Sequence, residues 1–136
     1  MKQFLDLEDI QNVPNLIEKA IALKTNPFAH KELGNNKSIG LLFFNSSLRT
    51  RLSTQKAAQN LGMDVMIMNL NSDGWGLEFE DGSVMNANTA EHIKEAAAVI
   101  SQYVDIIALR AFPSLTDKKK DEEEQIIKSF FLKIRN

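Results

Sequence analysis

Ser47, Arg49 and Thr50 stand close together where an apolar run, residues 39–44, gives way to the polar stretch "NSSLRTR". These residue types suit the binding of an oxyanion. A serine just before a helix accepts from the helix's first backbone N–H groups, and the positive end of the helix dipole then faces outward. Arg49 adds a planar fork of donors that fits phosphate or carboxylate, and Thr50 adds a hydroxyl donor. An ordinary capped helix with a solvated first-turn arginine has the same pattern, so both readings stand at this point. One feature favours the anion: two arginines, Arg49 and Arg51, occupy the helix end whose dipole disfavours cations. Arg51 points elsewhere than Arg49 and reads as structural.

Other chemistries find little support. The chain has no cysteine, which removes disulfides, thiol nucleophiles and thiolate metal sites. His30 and His92 lie far apart and offer no HExxH spacing, so no metal is expected, and no cofactor. His92 reads as a solvated or capping residue. A formal net charge of -2 in 136 residues gives no reason to expect a nucleic-acid partner, which normally requires a clustered basic excess. No apolar run approaches the roughly 18 residues of a membrane span. The start "MKQFLDLEDI" carries acids inside its apolar stretch and lacks a signal-peptide pattern, so a cytoplasmic location is the expectation.

The elements that must hold these residues follow from hydrophobic spacing. Residues 13–24 carry Leu16, Ile17, Ala20, Ile21 and Leu23 at helical intervals, with Asn12 as cap and Pro14 in the first turn. Residues 39–44 read as a short buried strand. Residues 48–61 read as a helix with a seam of Leu48, Leu52, Gln55, Ala58 and Leu61, ended by Gly62. A second strand begins at Val65. The glycine-rich segment 71–88 reads as a long loop presenting Trp75. Thr89 is the expected cap of the next helix, "AEHIKEAAAVISQ". "IIALR" is a third strand, broken at Phe112 and Pro113, and the polar excursion that follows leads into a last helix from Asp121.

Three apolar strands separated by helices imply an α/β fold, a three-layer sandwich with a mostly parallel central sheet flanked by helices. A chain of this length with 43% hydrophobic residues fits one domain spanning 1–136. Ligands in such sheets gather beyond the carboxyl ends of the strands. That rule brings Ser47–Arg51, the Trp75 loop and Arg110 to one edge.

The stretch "FFNSSLRTR", together with "STQKAAQNLGM", the tryptophan loop and "DIIALRAF", resembles the carbamoyl-phosphate-binding domain of the aspartate and ornithine carbamoyltransferase family. The resemblance covers essentially the whole chain. The family's Ser-Thr-Arg-Thr signature reads here Ser47-Leu48-Arg49-Thr50. It implies that Ser47, Arg49 and Thr50 hold phosphate, while Thr50 and Arg110 reach the carbamoyl carbonyl oxygen. Leu48 departs from the threonine of many relatives and resembles the acylornithine branch, as does Trp75, which in the family reaches a neighbouring subunit's phosphate site. Ala90 falls where acetyl-specific relatives carry glutamate; a small neutral residue there leans toward N-succinylornithine as acceptor.

The implied reaction is attack of an amine on the carbamoyl carbon with expulsion of phosphate, in arginine biosynthesis. Neither a side-chain nucleophile nor a metal is needed. The family's His-Pro-x-Gln element and acceptor-binding segment do not occur in these 136 residues. The expectation is therefore the N-terminal part of a two-domain homotrimeric enzyme, inactive alone. The alternatives left open are an N-acetylornithine or ornithine acceptor, a non-catalytic phosphate-binding or regulatory module, and a single-domain enzyme of another phosphorylated substrate.

Overall fold

The computed structural model describes residues 4–5, 7–70, 72–73, 76–78, 89–113, 115–116, 118, 121, 127 and 130–131, the side chains of Leu7, Thr89 and Ala90 excepted. Among the described residues, the main elements follow in the order α1 (Val13–Thr25), β1 (Ser38–Phe43), α2 (Leu48–Asn60), β2 (Asp64–Asn69), β3 (Gly76–Glu78), β4 (Thr89–His92), α3 (Ile93–Ile100) and β5 (Ile106–Arg110). The three long strands form one parallel sheet in the order β2-β1-β5. Residues 118, 121, 127, 130 and 131 are helical.

The central strand β1 explains both layers. Its run of apolar residues alternates between faces. Ile39, Leu41 and Phe43 pack with Ala58 of α2, against Met63, Val65, Ile67 and Ala108. Leu42 and Phe44 pack on the other face with Ile93 and Ala97 of α3 and with Phe130. Both faces are thus covered, which is why this strand carries no alternating polar residues. The parallel α/β sandwich expected from the strand-helix order is what forms.

The amino edge of the sheet is clamped by Asp105. Its carboxylate accepts from the Ser38 N–H at 2.8 Å and the Lys37 ammonium at 3.4 Å, and Asp105 N–H returns a bond to the Ser38 carbonyl. The Ser38 N–H foremost, helped by Lys37, holds the Asp105 carboxyl below the ordinary aspartate range. Gly62 ends α2 at φ +83, where a Cβ would overlap the Lys31 carbonyl oxygen, so the turn into β2 requires glycine.

Three expectations change. Thr89 does not cap the third helix: residues Thr89–His92 are extended and pair in parallel with β3, and the helix starts at Ile93. His92 caps it instead, accepting from the Lys94 N–H through Nδ1 while Glu95 accepts from the His92 N–H. The strand β3 lies inside the segment expected to be loop, because its partner β4 is distant in sequence. In α2 the apolar seam buries only Ala58; Leu48 and Leu52 are exposed, since the helix begins at the sheet's edge, beside Arg110, and reaches the sheet's apolar face only further along. The helix α1 forms with its Asn12 cap, but Leu16, Ile17 and Ile21 remain exposed, no described element being packed over them.

Candidate functional site

The carboxyl edge of the sheet gathers the chemistry. β1 ends at Phe43, and Ser47 caps α2 four residues later, its Oγ accepting from the Thr50 N–H at 3.3 Å. The N–H groups of Leu48 and Arg49 precede the first intrahelical donor and point out along the helix axis, as in any helix N-terminus. Arg49 is exposed on this first turn, and no hydrogen bond or ion pair holds its side chain among the described residues. Leu48 is exposed beside it and contributes no polar group.

β5 runs next to β1, in register so that Arg110 lies opposite Phe43, and the Phe44 N–H donates to the Arg110 carbonyl at 2.9 Å. The Arg110 side chain reaches across to α2, where Nη1 donates to Thr50 Oγ1 at 2.6 Å. Ser47, Thr50 and Arg110 are therefore linked in one hydrogen-bonded chain, although 60 residues separate Thr50 from Arg110. Helix N–H groups, the Arg110 guanidinium and two hydroxyls meet here, with Arg49 exposed on the same first turn. Such a group can hold a phosphate and place further donors near an oxygen attached to it.

The third strand end is also organised. Asp73 accepts from the Asn69 N–H at 2.7 Å, from Asn69 Nδ2 and from the Ser72 hydroxyl. The Asn69 N–H above all, then its side-chain amide, keeps the Asp73 carboxyl low, and the nearby Arg51 charge adds to this. Arg51 is the least of these influences on Asp73.

Two sequence-expected residues are not joined to this cluster by the described structure. Trp75 lies outside the described residues, immediately before β3. Ala90 has its backbone in β4, next to the irregularity at Gly76 and Leu77, and its side chain lies outside the described ones. Two residues that the sequence pattern did not single out as functional do reach the site. Asn45 Oδ1 accepts from the Phe112 N–H at 2.8 Å, and the Phe112 ring lies 4.5 Å from the Arg110 guanidinium carbon. The only prior signal was an asparagine at a strand exit and a Phe-Pro pair, neither of which names its distant partner. No cluster of three or more metal-ligating side chains occurs among the described residues.

The chain is similar to known proteins. Residues 2–130 match the model of the aspartate/ornithine carbamoyltransferase carbamoyl-P binding domain. The chain is 44% identical over 130 residues to the N-succinylornithine carbamoyltransferase of Bacteroides thetaiotaomicron, covering 96% of this chain and 41% of that protein. It is 41% identical over 132 residues to the N-acetylornithine carbamoyltransferase of Xanthomonas campestris pv. campestris, covering 96% and 38%. A crystal structure of a glutamate-to-alanine variant of N-acetyl-L-ornithine transcarbamylase, complexed with carbamyl phosphate and N-succinyl-L-norvaline, superposes with a TM-score of 0.84 at 42% identity, over 96% of this chain and 39% of that one. The chain spans about two-fifths of the length of the curated relatives it matches. It belongs to the aspartate/ornithine carbamoyltransferase family, within the carbamoyl-phosphate-binding domain.

Proposed function

We propose that these 136 residues are the carbamoyl-phosphate-binding part of a two-domain N-acylornithine carbamoyltransferase, with N-succinyl-L-ornithine as acceptor. The observation that carries the reading is the 2.6 Å bond from Arg110 Nη1 to Thr50 Oγ1, which ties the end of β5 to the first turn of α2. Ser47, Arg49 and Thr50 hold the phosphate, with the first N–H groups of α2. Thr50 and Arg110 face the carbamoyl oxygen. The acceptor's side-chain amine attacks the carbamoyl carbon, a C–N bond forms, and the bond from that carbon to the phosphate oxygen breaks. The phosphate leaves with the electron pair, and the amine loses a proton. Arg49, Thr50 and Arg110 stabilise the negative charge that grows on the carbonyl oxygen and on the departing phosphate. Binding both substrates side by side supplies orientation.

The acceptor assignment rests on Ala90. A glutamate at that place would repel the second carboxylate of a succinyl group, and alanine does not. The glutamate-to-alanine relative that holds N-succinyl-L-norvaline supports the same logic. Leu48, which offers no hydroxyl, fits the acylornithine branch. Trp75 would reach a neighbouring subunit's phosphate through its indole N–H, in a homotrimer working in the cytoplasm on arginine biosynthesis. The relatives extend well beyond the length matched here, and these residues by themselves should bind carbamoyl phosphate weakly and not turn it over. The N-acetylornithine reading is the runner-up, favoured by the 41% identity to the Xanthomonas enzyme. A nuclear magnetic resonance titration with carbamoyl phosphate tests the site. Amide shifts should concentrate at 47–50 and 110; shifts confined to the opposite sheet edge, around Ser38 and Asp105, would place the anion elsewhere.

A further inference from the structure

We infer that Phe112 is a positioning residue, which holds the Arg110 guanidinium in the orientation that meets Thr50 and the bound carbonyl oxygen. The inference rests on the carbamoyl-phosphate reading of the site and adds to it a residue that does not touch ligand. Arg110 has a long side chain with many rotamers, and fixing it for one contact carries an entropic cost. Its guanidinium carbon lies 4.5 Å from the Phe112 ring centroid, within the range in which an aromatic face attracts a cation. The ring therefore limits the arginine before any ligand arrives, which reduces the ordering that binding must impose.

The ring is itself held. The Phe112 N–H donates to Asn45 Oδ1 at 2.8 Å. Pro113 follows directly, and a residue before proline is confined to extended backbone. Asn45 belongs to the same turn as the Ser47 cap. The exits of β1 and β5 are thus tied twice, by Asn45 to Phe112 and by Thr50 to Arg110. Packing does not explain the ring's place, because Phe112 is 54% exposed. A large apolar side chain left half in water, yet anchored through its backbone beneath a cation, is best understood through that cation.

Two measurements on the 136-residue chain test this. In the first, the Arg110 Nε–Hε proton should be shielded by the ring current in the wild type and should move downfield in Phe112→Leu. In the second, carbamoyl phosphate is titrated calorimetrically. Phe112→Leu should bind about two- to fivefold more weakly, the range of an exposed cation–π contact, while Phe112→Tyr keeps wild-type affinity. Asn45→Ala, a variant that keeps the aromatic side chain but removes the bond anchoring its backbone, should weaken binding in the same direction. On an Arg110→Ala background, Phe112→Leu should cause no further loss, since it acts through the arginine. The inference is overturned if the Arg110 proton is unshielded, or if Phe112→Leu leaves affinity unchanged while Arg110→Ala lowers it. It is equally overturned if the Phe112→Leu loss persists without Arg110, which would make the ring a ligand or interface contact of its own. Failure of the wild type to bind carbamoyl phosphate at all would instead remove the underlying reading, and this inference with it.

Discussion

Ser47 caps α2 and, in the proposed site, would also donate to phosphate, two roles that substitution can test apart. Its Oγ accepts from the Thr50 N–H at 3.3 Å, and its hydroxyl proton remains as a donor for a phosphate oxygen. Ser47→Ala removes both functions. Loss of a serine cap costs about 1 kcal/mol of stability, and the long 3.3 Å bond places this one toward the lower part of the range. Ser47→Gly leaves a residue that still tolerates the cap backbone and costs roughly 0.3 kcal/mol. Both lose the donor to ligand. A hydrogen bond to a charged group is worth about 1.5–3 kcal/mol, which corresponds to a Kd raised by roughly 10- to 150-fold. Urea unfolding with an unchanged m-value measures the first quantity, and titration with carbamoyl phosphate the second. The expected result is unequal stability and equally weak binding in the two variants. Wild-type affinity in Ser47→Gly would show that Ser47 is a cap and nothing more. Equal destabilisation in both would contradict the capping geometry.

Three further predictions follow from other parts of the fold. Gly62→Ala should lower stability by more than about 1 kcal/mol and reduce Tm, because φ +83 and the Lys31 carbonyl oxygen both oppose a Cβ; an unchanged melting curve would contradict the turn. Asp105 has a folded-state pKa held below its ordinary value, so its contribution is present above that value and fades as pH falls through and below it, from about pH 4 downward. Asp105→Asn should therefore be less stable than wild type near neutral pH and converge with it in acid, as read from denaturation midpoints across pH; parallel profiles would refute the clamp. In the complete enzyme, Ala90→Glu should shift the kcat/KM ratio from N-succinylornithine toward N-acetylornithine; an unchanged ratio would remove Ala90 from acceptor selection.

The legible parts of the fold were those set by local pattern. The run 39–44 reads as strand rather than helix from its length and the turn signals on both sides, and Asn12, Ser47 and Gly62 mark helix ends through chemistry that operates within three or four residues. The meeting of Thr50 and Arg110 was also foreseeable as a neighbourhood, because parallel sheets collect ligands at their carboxyl ends. Non-local pairing was not foreseeable. Thr89 has the chemistry of a cap, yet Thr89–His92 pairs with β3 and hands the role to His92. Leu48 and Leu52 continue a helical seam with no apolar strand face to meet, and α1 shows that apolar spacing can specify a helix without specifying what covers it. The Asn45 to Phe112 link joins two loops that neither sequence motif connects.

The most direct test of the central claim is calorimetric titration of the chain with carbamoyl phosphate, comparing wild type with Arg49→Ala and Arg110→Ala. Each variant loses a charged donor at the carboxyl edge of the sheet, so both should bind at least about tenfold more weakly, or not measurably, while keeping the wild-type fold. Equal affinity in all three proteins would contradict the assignment of this edge as the carbamoyl-phosphate site.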